Sequence, residues 1–150
     1  MPSDSDKIYL ETHRDKLIVD EKTLELAIRF FKSKGLKVAG GITYTIDESN
    51  NFETYCYSNP EHRKKVREIA EYTARHFDEF ILDDFFFTSC KCDLCIKEKG
   101  DRSWTDFRLQ LMTDAAHDLI INPAKAVNPQ VKIIIKYPNW YEHFQGLGFN

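Results

Sequence analysis

Short apolar runs alternate along the chain with longer amphipathic segments, and this alternation is the feature that most restricts the fold. Four runs are continuously apolar and do not alternate with polar residues; they lie at 7–13, 37–44, 79–86 and 131–137. Strands of this kind are typical of parallel sheets that are covered by helices. The sequence therefore predicts an α/β chain whose strands and helices follow one another in strict order.

Three helices are predicted between the four strands from their capping residues. The first follows Asp20 as N-cap and stops at Gly35, and the second begins at Asn59–Pro60. The third follows Ser103 and is expected to break at Asn122–Pro123, because proline cannot continue a regular helix. The result is a parallel sheet of four strand–helix units.

The loops differ strongly in length between the two ends of the predicted sheet. Strand-to-helix loops are long and polar, at about 45–59 and 88–103, whereas helix-to-strand loops span only a few residues. Two architectures fit, an open doubly wound sheet or half of a closed barrel. No Gly-x-Gly-x-x-Gly follows the first strand, which weakens the nucleotide-binding open sheet. A complete barrel needs roughly 250 residues, so 1–150 is predicted to be a single (β/α)4 segment, a partial TIM-type barrel.

Composition excludes several classes of function. Lys and Arg number 21 against 24 Asp and Glu, a net charge of −3, which argues against a nucleic-acid binder. No stretch approaches the roughly 20 apolar residues of a membrane span. The polar N-terminus has no apolar signal region, so we expect a soluble chain; a periplasmic or exported protein would require that a signal peptide had been removed.

Carboxylates occupy the predicted carboxyl ends of the strands, where such folds place their sites. Asp83 and Asp84 end the third strand, and alternation sends their side chains to opposite faces. Lys136, at the end of the neighbouring fourth strand, is expected to reach Asp83 and keep it ionised. We predict Asp83 on the cleft side and Asp84 toward the loop or the helix layer. The alternative is that one of them only caps the next turn or pairs with a lysine.

Further polar residues share this predicted edge. Glu11 and His13 end the first strand and, being two residues apart, are expected to share a face. Glycoside hydrolysis uses two carboxylates, and Glu11 is the predicted partner of the aspartates. The predicted substrate-binding residues are His13, Lys136, Asn139, Trp140 and Glu142.

Three cysteines lie unusually close together, at Cys90, Cys92 and Cys95. Cys56 lies on the preceding strand-to-helix loop, on the same predicted face. Four thiolates suit a structural zinc ion, and the alternative is a set of reduced thiols without a metal. No cofactor is expected to be required for the chemistry itself.

Segments 9–14 (YLETHR), 80–86 (FILDDFF) and 135–141 (IKYPNWY) resemble those of uncharacterised glycoside-hydrolase-like barrel proteins from carbohydrate-degrading gut bacteria. The resemblance covers essentially the whole chain. It implies a (β/α)8 barrel that acts on an oligosaccharide or glycan, with an important Asp after the fourth barrel strand, to which Asp83 corresponds. The family has eight units where four are visible here.

Three functions remain open at this point. The leading one is a glycoside hydrolase; the alternatives are a non-catalytic carbohydrate-binding module and a zinc-stabilised structural module. Four barrel strands leave two open edges and an apolar inner face. We expect a homodimer or the remainder of the barrel to cover them.

Overall fold

The computed structural model describes residues 6–136. Its strands are β1 (Lys7–Arg14), β2 (Leu17–Ile18), β3 (Lys37–Ile42), β4 (Thr45–Asp47), β5 (Glu53–Thr54), β6 (Glu79–Leu82) and β7 (Lys132–Ile135). Its α-helices are α1 (Glu21–Ser33), α2 (Pro60–His76), α3 (Asp93–Lys99), α4 (Trp104–Ala115) and α5 (Asn122–Val127). A π-helical segment, Ala116–Ile121, joins α4 to α5. None of the helices within 6–136 is long and apolar enough to cross a membrane.

The main sheet has the strand order β2-β1-β3-β6-β7. The four predicted strands β1, β3, β6 and β7 are parallel to one another and neighbour one another in chain order. This confirms a mixed α/β fold with a mostly parallel sheet. The short β2 was not predicted; it folds back antiparallel onto the end of β1 through a turn with positive φ at Asp15 and Lys16.

The hydrophobic core lies between the sheet and helix α2. Phe80 and Leu82 of β6 are fully buried there together with Val66 and Ile69 of α2. The opposite face of the sheet is more open, and Ile134 on that face is 38% exposed. One face of the parallel strands is therefore covered by helix and the other is partly bare within the described residues.

The predicted helix starts are confirmed by their caps. Asp20 accepts a hydrogen bond from the Thr23 amide at 2.9 Å, and Ser103 accepts one from the Asp106 amide at 3.0 Å. Asn59 caps α2, with Pro60 at its first position. Each cap satisfies amides that have no partner inside the helix.

The predicted break at Asn122–Pro123 is wrong, because the helical path continues through it to Val127. In the π-helical segment the Asn122 amide donates to the carbonyl of His117, five residues earlier. A proline ring normally clashes with the carbonyl four residues before it. The wider π turn changes the spacing of these carbonyls, so the chain accommodates Pro123 without ending.

The third and fourth strands are shorter than predicted, since β6 ends at Leu82 and β7 at Ile135. The apolar residues that continue the run beyond Leu82 lie in a loop. That loop also contains helix α3, which the sequence analysis did not predict. Its seven residues are too few for a clear helical period.

Candidate functional site

Two carboxylates and one ammonium meet at the carboxyl ends of β6 and β7. Lys136 Nζ lies 3.3 Å from Asp83 Oδ1 and 3.1 Å from the Asp84 carboxylate. The hydrogen bond from Lys136 to Asp84, followed by its hydrogen bond to Asp83, raises the pKa of Lys136. The predicted pairing of Lys136 with Asp83 is therefore confirmed.

The predicted placement of the two aspartates on opposite faces is not observed. The Asp83 amide still donates to the Ile42 carbonyl at 3.0 Å, but regular strand geometry has ended at Leu82. Alternation applies only within a strand, so one ammonium can contact both carboxylates. The side chains are 39% exposed for Asp83 and 26% for Asp84.

Glu11 lies at the same end of the sheet, in β1. Its carboxylate accepts a short hydrogen bond from the Thr43 hydroxyl, and Arg14 Nη1 lies 3.2 Å away. Arg14 also contacts Glu48 at 2.6 Å. A hydroxyl and a guanidinium together therefore fix the Glu11 side chain while leaving it accessible.

His13 is buried whereas Glu11 is accessible, although the two were predicted to share a face. A β-bulge between Glu11 and His13 shifts the register, and the imidazole is only 1% exposed. Nδ1 lies 2.7 Å from the Thr43 carbonyl and Nε2 lies 3.0 Å from the Tyr55 hydroxyl. Both ring nitrogens of His13 are therefore bonded to protein atoms and are not presented to a substrate.

The protonation of His13 follows from these partners. A carbonyl can only accept, so Nδ1 donates to Thr43, and in the neutral ring Nε2 accepts from the Tyr55 hydroxyl. Burial lowers the pKa of His13, although its bond to Thr43 opposes this effect. The geometry therefore favours a neutral imidazole that positions Tyr55.

An aromatic pair lies beside the acidic turn, and its member Phe52 was not predicted from the sequence. Phe52 and Phe85 stack with their ring centroids 5.2 Å apart and their planes at 12°. Phe52 lies in the turn between β4 and β5, with φ of 54°, which is rare for a bulky residue. Only the asparagines that precede it hint at this turn, and no spacing links Phe52 to Phe85.

Four cysteine sulfurs form a cluster near the same end of the sheet. Cys56 Sγ lies 3.7 Å from Cys92 Sγ and 3.5 Å from Cys95 Sγ, and the latter two are 3.7 Å apart. The sulfur of Cys90 completes the group, and all four lie within 4.8 Å of one another. The predicted grouping of Cys56 with the other three is therefore confirmed.

The thiols differ in their surroundings. Burial raises the pKa of Cys56 above its usual range and that of Cys95 to about 11. The Cys95 amide, which donates to the sulfur of Cys92, lowers the pKa of Cys92 to about 7. Cys92 is exposed, so the cluster opens to solvent on one side.

Three predicted substrate-binding residues, Asn139, Trp140 and Glu142, lie outside the described residues. Their predicted roles stay predictions. The residues that the structure brings together at the sheet end are the two aspartates with Lys136. Glu11 lies two strands away at the same end.

Comparisons with known proteins agree with this architecture. A family model described as probable glycosyl hydrolase, catalytic domain, matches residues 2–150. An uncharacterized protein of Saccharolobus solfataricus is 29% identical over 170 aligned residues, covering 95% of this chain and 28% of that protein. The structure of α-L-fucosidase isoenzyme 2 from Paenibacillus thiaminolyticus aligns with a TM-score of 0.61 at 14% identity, over 95% of this chain and 29% of that one. The chain thus spans less than a third of both proteins, and the structural likeness concerns the fold.

Proposed function

Because this chain belongs to the family of probable glycosyl hydrolase catalytic domains, we propose that it contributes catalytic carboxylates to a glycoside hydrolase. Asp83 is the proposed catalytic residue, and the substrate is an oligosaccharide or glycan. The observation that carries the proposal is the placement of Asp83 beside Lys136 at the carboxyl end of a parallel sheet.

The electrostatics support a charged role for Asp83. Lys136 Nζ places a positive charge 3.3 Å from Asp83 Oδ1. An ionised carboxylate can act as a nucleophile on the anomeric carbon or stabilise an oxocarbenium-like transition state. Asp84 shares the same ammonium but is less exposed, so we assign it to hold the turn.

Glu11 is proposed as the second carboxylate. Its strand is separated from β6 by β3 alone, and two strand spacings amount to about 10 Å. Side chains that lean toward each other from this distance reach the separations of about 5 to 9.5 Å that glycosidases use. Thr43 and Arg14 restrict the Glu11 carboxylate to this edge.

The Phe52–Phe85 stack supports a sugar subsite beside the acids. Sugar rings have apolar faces that pack on aromatic rings, and Phe52 is exposed at the surface. Phe85 directly follows the two aspartates in sequence. A sugar on this stack would place its neighbouring glycosidic bond close to the acidic turn.

The strand order supports a half-barrel as the scaffold of this site. In a TIM-type barrel, parallel strands neighbour one another in chain order and place catalytic residues at their carboxyl ends. The strands β1, β3, β6 and β7 follow this rule. We therefore propose that the chain is a (β/α)4 part of such a barrel.

The test is turnover of a panel of aryl glycosides by the full chain and its Asp83→Asn variant. The amide keeps the shape of the carboxylate but removes its charge, so we expect turnover to fall at least about 100-fold with the fold retained. Asp84→Asn is the matched control and should cost less activity and more stability. Full activity of Asp83→Asn would move the assignment to Asp84. Glycan binding without turnover by the unmodified chain would favour a carbohydrate-binding module.

A further inference from the structure

We propose that Cys56, Cys90, Cys92 and Cys95 bind one zinc ion that fastens the loop after β5 to the loop after β6. Its role is structural, and it holds the segment that carries the acidic turn. The proposal rests on sulfur geometry and on the contacts of these loops, and it stands independently of the proposed hydrolase activity.

The sulfur spacing matches a zinc tetrahedron. With zinc–sulfur bonds of about 2.3 Å, the edges of a tetrahedron are about 3.8 Å long. Three of the sulfur pairs lie 3.5, 3.7 and 3.7 Å apart. The fourth sulfur is within 4.8 Å of each of the others, so a small rotation of Cys90 closes the site.

Disulfide bonding does not explain the cluster. A disulfide requires sulfurs about 2.05 Å apart, and all four cysteines are free thiols. Soft thiolate ligands in a tetrahedral arrangement select zinc over hard cations such as magnesium or calcium. Four protein ligands leave no open position for water, which is typical of structural and not catalytic zinc.

Two backbone amides lie beside sulfurs of the cluster. The Cys95 amide donates to Cys92, as expected for a Cys-x-x-Cys turn, and the Ser58 amide donates to Cys56. Hydrogen bonds of this kind orient metal ligands and raise metal affinity. One bond comes from each loop, so each loop holds one of its sulfurs by its own backbone.

The loop after β6 also makes contacts that do not involve the cysteines. Arg108 of α4 is buried and donates to the carbonyls of Ser89 and Cys90 at 3.1 and 3.3 Å. Phe86 packs edge-on against Tyr57, with ring centroids 5.6 Å apart. Tyr57 directly follows Cys56, so a metal at the cluster would fix both partners of this contact. Asp83 and Asp84 lie three and two residues before Phe86 in the same loop.

Metal analysis of the purified protein, prepared under reducing conditions, tests the proposal. We expect one zinc ion per chain and, after exchange with cobalt, the visible absorption bands of a tetrahedral cobalt–thiolate site. Chelation should lower the midpoint of thermal unfolding, because the metal binds only the folded chain. A protein that holds no zinc after incubation with it would overturn the proposal.

Two variants sharpen the test. Cys92→Ser removes a thiolate at the exposed position and should weaken zinc binding by more than the about 10- to 100-fold that loss of an outer-shell partner costs. Asp93→Asn, the adjacent exposed position, should keep zinc and the chelator response. Equal metal content in both variants would contradict the assignment.

Should Cys92→Ser fail to fold, alkylation of the unmodified protein decides the question. We expect all four thiols to resist a maleimide until a chelator is added. Alkylation at the same rate with and without zinc would contradict the site. These readouts do not involve turnover, so their failure would leave the proposed hydrolase function untouched.

Discussion

Lys136 is shared between two carboxylates, and this sharing defines the acidic turn. The ammonium lies within 3.3 Å of both Asp83 and Asp84. An exposed ion pair contributes little to stability, so the value of this contact lies in charge placement at the sheet edge. One cation against two acids leaves the turn with a net negative charge, which suits the stabilisation of a developing positive charge on a sugar.

The burial of His13 predicts how the stability of the protein depends on pH. Burial lowers the pKa of the imidazole below the value of about 6.5 that it has in an unfolded chain. The unfolded state therefore binds the proton more readily. The contribution of neutral His13 to the free energy of unfolding is complete above about pH 6.5. It is lost as the pH falls through the lower pKa of the folded state. We expect the free energy of unfolding, measured by denaturant titration, to decrease between about pH 7.5 and about pH 5.

Replacing His13 shows how much of this decrease in the free energy of unfolding comes from its imidazole. His13→Asn is expected to destabilise the protein at neutral pH but to reduce its dependence on pH. His117→Asn, at an exposed histidine, is the control for the substitution itself. An identical pH slope in the unmodified protein and in His13→Asn would show that His13 is not the titrating group.

At the residue scale, the sequence could predict contacts that follow from strand order. Lys136 and Asp83 end neighbouring parallel strands, so their meeting follows from topology alone. The β-bulge that separates Glu11 from His13 has no signal in the apolar pattern. The stacking of Phe52 on Phe85 joins two loops, and strand periodicity says nothing about the path of a loop.

Helix α2 packs tightly on strand β3 at Gly40, which gives a prediction at the scale of elements. A Cβ atom added there would lie 2.7 Å from side-chain atoms of Phe77 and Thr73. Gly40→Ala should therefore push the helix from the sheet and lower the free energy of unfolding by about 1–3 kcal/mol. Denaturant unfolding measures the change.

The neighbouring Gly41 is the matched control for Gly40. Its added Cβ would have no atom closer than 3.8 Å, an ordinary contact distance. Since alanine also restricts the unfolded chain, Gly41→Ala should leave stability unchanged or raise it by up to about 1 kcal/mol. Equal destabilisation by both variants would mean that the close contact with α2 at Gly40 does not decide the effect.

Helices that begin with a clear capping residue were predictable from the sequence, and elements without such a residue were not. Asp20, Asn59 and Ser103 mark helix starts because a side-chain acceptor there satisfies free amides. The continuation through Pro123 was not predictable, since it depends on a π turn set by packing of the whole helical segment. The apolar residues after Leu82 misled the strand prediction because aromatic residues also pack from loops.

Over the whole molecule, the sheet is unevenly covered. Within residues 6–136, β7 pairs only with β6 and β1 pairs with β2 only at His13 and Arg14. A groove of about 500 Å³ also runs beside β7; it is lined by Glu79, Ile121, Lys125, Val131, Lys132, Ile133 and Ile134. Unpaired strand edges with apolar surroundings favour association.

We expect the purified chain to form a dimer in which β7 and the groove beside it are covered by a second copy. Ile134 lies at this edge and is 38% exposed. Burial of an isoleucine contributes about 1.5–3 kcal/mol, so Ile134→Lys should weaken the dimer about 10- to 100-fold. Sedimentation equilibrium over a range of concentrations measures the change.

Leu109→Lys provides the control for surface hydrophobicity, because Leu109 is 59% exposed on α4 and is not among the residues that line the groove. This variant should dimerise as the unmodified chain does. An equal loss in both variants would indicate general apolar association without a specific edge. A monomer at every concentration would favour the open-sheet architecture, since a half-barrel needs its edge covered whereas an open sheet covers its faces with its own helices.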